Sequence, residues 1–306
     1  MRILFLGTPE FAVPSLQALL DSPHQVVGVM TVPDRPQGRG RKLRSSPVKT
    51  HALAADLPIL QPEDLKAPDL LEKVRALAPD LMVVVAFRIL PPELYDIPTM
   101  GTFNLHASLL PRYRGAAPIH WALLNGDEET GLTTFFLERR VDTGNILLQQ
   151  TVPIRDEDDL GSLHDRLSAA GADLVLQTVT GIETGRIKPR RQDPAAATRA
   201  PKVTREDRIL DFSEPAIQCW RRARAFAPAP GAVTQRQGKQ LKILACRPEK
   251  GDGAPGQILQ LADDHFLIAC REGALAVYRV QPEGKRAMSA AAFLLGSKLS
   301  VGEMLG

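Results

Sequence analysis

Two side chains able to carry a reaction stand two residues apart in this chain. Asn104 and His106 lie in the run Gly101-Thr-Phe-Asn-Leu-His106, which reads as a β-strand, so both point to the same face. An amide donor beside an imidazole suits a reaction in which an oxyanion develops and a proton moves. The pair equally fits polar capping of a strand end. Asp142-Thr143-Gly144 places a carboxylate in a turn between two strands. Such an Asp serves as a local hydrogen-bonding cap or orients a histidine and favours its charged form; its distance along the chain from His106 decides neither. His120, His164 and the three cysteines, Cys219, Cys246 and Cys270, show no ligand spacing, so no metal is expected. Gly7-Thr8-Pro9 follows a strand but lacks the glycine spacing of a dinucleotide or phosphate loop, and reads as a tight turn.

The elements that must position these groups alternate. Arg2–Leu6, Gln25–Val32, Pro58–Leu60, Asp80–Ala86 and Gly101–His106 read as strands. Helical segments fall between them, through Leu20 and over Val48–Ala55 and Asp69–Leu77. This order predicts a mainly parallel α/β sheet covered on both faces, with Asn104 and His106 at a strand's carboxyl end, where such sheets build their clefts. Pro111 and Gly115 bound a loop, and a helix is expected from Pro118. Leu132–Leu137 and Ile146–Ile154 read as further strands, and Leu160–Glu183 as a long helix. The stretch Pro33–Pro47, rich in Arg and Lys without an apolar period, reads as a long loop. From Ile187 to Arg205 prolines and charges replace periodicity, the mark of a linker. Beyond it come a helix, Glu214–Phe226, and short apolar runs over 231–281 that predict a small antiparallel sheet or barrel. The domain boundaries expected are 1–188, a linker over 189–206, and 207–306.

The 306 residues suffice for two domains, and the 44% hydrophobic share can fill their cores. Apolar stretches such as Leu81–Ala86 are far short of a membrane span. The apolar run after Met1-Arg2 is too short for a signal-peptide core, and the odd, scattered cysteines suit no disulfide framework, so a cytoplasmic protein is expected. The net charge of +3 is unevenly spread: residues 201–306 carry 16 Lys and Arg against 11 Asp and Glu, whereas residues 1–200 carry 22 against 24. The basic back half hints at a polyanionic partner, or is a solvated surface.

The run Asn104-Leu-His106-Ala-Ser-Leu-Leu-Pro111-Arg-Tyr-Arg-Gly115-Ala-Ala-Pro118 resembles the signature of the 10-formyltetrahydrofolate-dependent formyltransferases. Gly7–Ala12, Pro33–Gly40, Ser46–Lys49 and Gln281–Ser289 resemble, in order, the branch of that family that acts on initiator tRNA. The resemblance spans essentially the whole chain. It implies a Rossmann-like, mainly parallel N-terminal formyltransferase domain and a small C-terminal OB-like β-barrel domain. It implies that Asn104, His106 and Asp142 form the catalytic set. The co-substrate implied is 10-formyltetrahydrofolate, held by Val84, Val85, Phe87, Ile89, Leu90, Ser108, Leu109, Leu110 and Pro111. The acceptor implied is initiator methionyl-tRNA, met by Arg39, Arg41, Lys42, Lys202, Arg221, Arg222 and Arg224. No metal or membrane enters, and a monomer is expected.

Two segments depart from the family pattern. Phe87-Arg88-Ile89-Leu90-Pro91 is shorter than usual and lacks a glycine, and Arg140-Val141 replaces a Gly-Leu before Asp142. Both should flank the pterin. Transferases acting on nucleotide-sugar amines and formyltetrahydrofolate hydrolases share the same trio, so the trio alone does not choose the acceptor. A non-catalytic RNA-binding protein on a degenerate transferase fold is the alternative from another class.

Overall fold

A computed structural model describes residues 1–37 and 42–306. The chain forms two compact units. The first gathers residues 1–116, 129–153 and 164–200; the second gathers 117–128, 154–163 and 201–306.

In chain order the elements up to residue 200 are β1 (Arg2–Gly7), α1 (Val13–Leu20), β2 (Gln25–Met30), β3 (Arg35–Gln37), β4 (Lys42–Arg44), α2 (Pro47–Ala54), β5 (Ile59–Leu60), α3 (Pro68–Leu77), β6 (Leu81–Val85), α4 (Pro92–Tyr95), β7 (Thr102–His106), β8 (Arg114–Gly115), α5 (Pro118–Asn125), β9 (Glu129–Phe136), β10 (Ile146–Pro153), α6 (Leu160–Glu183) and β11 (Arg199–Ala200). The first unit is built on a seven-stranded sheet of order β10-β9-β7-β6-β1-β2-β5. The strands from β7 to β5 are parallel, and β9 and β10 are antiparallel additions. The central β6, Leu-Met-Val-Val-Val, is buried along its whole length, as a parallel strand covered on both faces must be. Proline opens several helices where its missing N–H leaves nothing unsatisfied. In α2 the Ser46 side chain caps the helix by accepting from Lys49 N at 3.0 Å.

The second unit holds α5 and, beyond residue 200, α7 (Ala216–Phe226), β12 (Ala232–Arg236), β13 (Lys239–Glu249), β14 (Ile258–Leu261), β15 (Phe266–Ala269), β16 (Ala274–Pro282), β17 (Met288–Ser289) and α8 (Ala290–Ser297). Its antiparallel sheet runs β12-β13-β16-β15-β14, with β17 also paired to β16. Phe212, Ile243, Phe266, Ile268, Leu275 and Val277 are buried together there with all three cysteines, whose thiols are free.

Two stretches differ from the sequence reading. Pro33–Pro47 is not a plain loop: β3 and β4 pair antiparallel, Arg35 opposite Arg44 and Pro36 opposite Leu43. Leu43 is exposed, so the ribbon has no buried face and leaves no apolar period to read. The stretch after Ile187 is not a bare linker. Arg190 and Ile146 exchange backbone hydrogen bonds at 2.8 Å, and β11 pairs in parallel with β8. These bonds join residues far apart in the chain, and local composition does not signal them.

Candidate active site

β7 lies between β6 and β9, with Asn104 opposite Val84 on one side and Phe135 on the other. Phe103 and Leu105 are buried on one face, while Asn104 and His106 point to the other. Burial of two such side chains is worth about 1.5–3 kcal/mol each. A one-residue slip would turn both into the opposite face, so the register that presents Asn104 and His106 is firmly set.

His106 is nearly enclosed. Its Nε2 lies 2.8 Å from the carbonyl oxygen of Tyr113. A carbonyl can only accept, so Nε2 carries the proton. The other nitrogen, Nδ1, faces Asp142 Oδ2 at 3.8 Å, with both side chains about one-tenth exposed or less. Phe135 packs edge-on to the imidazole, 6.5 Å between ring centres. Asp142 Oδ2 also accepts from the backbone N–H of Gly115 at 2.8 Å, which fixes the carboxylate at its post. Asp142 itself holds a left-handed backbone, φ +55°, which Asp tolerates better than bulkier residues. Two residues on, a Cβ at Gly144 would collide with the Phe136 carbonyl oxygen, so only glycine lets this turn lie against β9. Among the described residues the Asn104 side chain has no hydrogen-bond partner in the protein. An amide donor without a partner, a pinned imidazole and a held carboxylate therefore converge at the carboxyl end of one strand.

Residues 1–179 match the family model described as formyl transferase, and residues 202–298 match its C-terminal domain. The chain is 46% identical over 305 residues to the methionyl-tRNA formyltransferase of Trichlorobacter lovleyi, covering 99% of this chain and 96% of that protein. It is 47% identical to that of Moorella thermoacetica over 309 residues, covering 100% and 99%. The chain belongs to the formyl transferase family. Solved structures share the fold at lower identity. HypX from Aquifex aeolicus, in complex with tetrahydrofolic acid, superposes with a TM-score of 0.65 at 22% identity, covering 97% of this chain and 47% of that one. The N-formyltransferase from Helicobacter canadensis gives 0.67 at 17% identity, covering 92% and 98%.

Of the formyl transferase residues expected beside folate, Val84 and Val85 are buried in the sheet. Beyond them the chain turns at Ala86, φ +50°. Phe87 is half-buried, Leu90 is buried, and Ile89 is 77% exposed, an apolar group open to solvent. Arg88, at the point of departure from the family pattern, donates to the carbonyl oxygens of Pro62 at 2.6 Å and Glu63 at 3.0 Å. Burial pulls its guanidinium below the ordinary pKa, with Glu63 opposing. Ser108–Pro111 follows directly on β7. The buried Thr133 hydroxyl donates to Ser108 O at 2.6 Å and accepts from Leu110 N at 3.0 Å, and Gln149 donates to Leu110 O at 2.9 Å. Ser108 Oγ donates to Arg112 O at 2.7 Å. Leu109 and Pro111 are half-buried and Leu110 is buried.

The cations expected at tRNA divide. Arg39, Arg41 and the Lys42 side chain lie outside the described residues. Lys202 is exposed. The three in α7 are engaged within their own unit. Arg221 packs over Gly126, Arg222 pairs with Glu214, and Arg224 stacks 4.5 Å over Trp220 and donates to Arg155 O at 2.9 Å. Burial lowers the Arg224 pKa below its usual value.

Residues outside the sequence reading complete the site: Tyr113 and Gly115 through their backbones, Thr133 and Gln149 through side chains, and Gln192 and Thr198 from the stretch read as linker. Only Tyr113 and Gly115 had a signal, inside the family run.

Proposed function

We propose that this protein transfers the formyl group of 10-formyltetrahydrofolate to the α-amine of methionyl-initiator-tRNA, giving N-formylmethionyl-tRNA and tetrahydrofolate, as a cytoplasmic monomer. The observation that carries the reaction is the free Asn104 amide beside the His106–Asp142 pair. The acceptor follows from relatives of that name matched along nearly their full length.

The neutral amine attacks the formyl carbon, and a tetrahedral adduct forms with a negative oxygen. Asn104 donates to that oxygen as its charge develops; one such donor typically contributes about 100- to 1000-fold in rate. Nε2 of His106 is committed to Tyr113 O, so Nδ1 is the nitrogen that takes and returns a proton. Asp142 stands beside it to balance the imidazolium and help carry the amine's proton towards N10 of the leaving tetrahydrofolate. The C–N10 bond then breaks and restores the carbonyl. Holding the amine against the formyl carbon supplies much of the remaining acceleration. The exposed Ile89 and the Leu109–Pro111 stretch suit a flat heterocycle in a partly apolar slot.

On this reading residues 1–188 carry catalysis, 189–206 connect, and 207–306 meet tRNA. Arg39, Arg41 and Lys42 contact the acceptor end, and Lys202 a phosphate. The test is formylation of charged initiator tRNA with 10-formyltetrahydrofolate, with uncharged tRNA and free methionine as controls. Product on charged tRNA alone is expected; equal reaction with free methionine would refute the tRNA assignment.

A further inference from the structure

The stretch Arg190–Ala200 carries no periodicity and reads as a tether, yet it contacts the turn that carries Asp142 and the backbone of Tyr113, which holds His106. Gln192 is 95% buried. Its amide nitrogen donates to two carbonyls of the catalytic turn, Asp142 O at 2.9 Å and Gly144 O at 2.8 Å. Its oxygen accepts from Arg114 through Nε at 3.1 Å and Nη2 at 2.6 Å. Every polar atom of the side chain is thereby used, and the donor end falls on the one turn whose residue 142 is left-handed.

Six residues further on, the Thr198 hydroxyl accepts from Tyr113 N at 2.8 Å, and Thr198 O accepts from Arg114 N at 2.9 Å. Tyr113 is the residue whose carbonyl holds His106 Nε2. Pairing of β11 with β8 brings Ala200 so close to Gly115 that a Cβ there would collide with the Ala200 carbonyl oxygen. Gly115 N is in turn the donor to Asp142 Oδ2. The strap thus supports the carboxylate from one side and the imidazole's anchor from the other.

We infer that Gln192 is a positioning residue for the formyl transfer: it sets the Asp142 turn at its working distance from His106. A buried carboxamide with two donors and a bidentate Arg grip is costly to leave unsatisfied. A shift of about 1 Å in a reacting group can cost about 100-fold in rate. The inference rests on Asp142 acting through His106, as proposed above.

Gln192→Glu separates positioning from packing. The variant keeps the shape and the Arg114 contact, but it cannot donate to the two carbonyls. Turnover is expected to fall by about 10- to 100-fold, with KM for both substrates near wild type. In an Asp142→Asn background the same change should cost less than about twofold, because the group it positions is already disabled. Arg114→Gln, which leaves the buried amide in place and only loosens its oxygen, should give a smaller loss with the same dependence on Asp142. It provides the reading if Gln192→Glu does not fold, with the thermal midpoint as control. Wild-type turnover in folded Gln192→Glu overturns the inference, as does an equal loss in both backgrounds. If Asp142→Asn alone turns over like wild type, the catalytic reading fails as well. An impaired Asp142→Asn with an unimpaired Gln192→Glu removes this inference only.

Discussion

The carboxyl end of β7 and the helix α7 both concentrate polar side chains, but they use them in opposite ways. At β7 the backbone does the holding. Tyr113 O pins His106 and Gly115 N pins Asp142, which leaves Asn104 Nδ2 and His106 Nδ1 to act. At α7 the arginines are themselves the structure. Arg222 is taken by Glu214, and Arg224 by Trp220 and a carbonyl. At β7 the main chain holds the polar groups, whereas at α7 the arginines are paired with a carboxylate, a ring and a carbonyl of their own unit. Charge counted along a sequence does not distinguish the two cases.

The contrast is tested most severely at β7. Asn104→Ala, His106→Ala and Asp142→Ala should each lower single-turnover formylation by at least about 100-fold with the thermal midpoint near wild type. A folded Asn104→Ala variant with normal turnover would remove the oxyanion role. A second change probes the cations proposed to meet the acceptor end of tRNA. Replacing Arg39, Arg41 and Lys42 together with alanine should reduce formylation of initiator methionyl-tRNA by about tenfold or more, given a few lost phosphate contacts, while folate binding is retained. Loss of folate binding as well would mean that the segment supports the active site.

Smaller effects should separate free from committed cations in the second unit. Lys202→Glu should weaken tRNA binding and reduce the salt slope by about one. Arg222→Gln should leave that slope unchanged and cost at most about 1 kcal/mol of stability, since its partner Glu214 is partly exposed. Identical slopes for the two variants would erase the distinction. The least effect is expected at His120, which lies against Phe226 with ring centres 5.5 Å apart. Burial holds its pKa below the ordinary 6.5. The unfolded chain then takes up a proton that the folded chain refuses, so stability is full above about pH 6.5 and falls as the pH drops below it. In His120→Phe, thermal denaturation at about pH 7.5 and 5.5 should show a smaller acid-side decline than in wild type.

Much of this molecule could be read beforehand, for definable reasons. The all-buried β6 and the alternating β7 imprint their periods on the sequence, and Asn104 and His106 share a strand whose register apolar neighbours fix. Asp142 is legible as a turn residue, and its approach to His106 only through the family resemblance, because nothing local encodes contact between separate loops. Gln192 and Thr198 were hidden for the same reason, in a segment whose prolines suggested a tether. The β3–β4 ribbon was missed because it buries no face. The commitment of Arg222 and Arg224 escaped because composition counts charges without their partners.

The interleaving of the two units has a consequence for synthesis. As the chain leaves the ribosome, β1 to β7 are complete by residue 106, yet the catalytic turn waits for residues 129–153, and its buttress waits for residues 190–200. Helix α5 emerges early with its apolar side, and α7, against which it packs, follows some ninety residues later. A nascent chain stopped near residue 180 would therefore already carry Asn104, His106 and Asp142 with the Tyr113 and Gly115 contacts, but would lack the Gln192 and Thr198 contacts that buttress them. If Gln192 sets the Asp142 turn as inferred above, full competence for formyl transfer is expected only once residues 190–200 have been made.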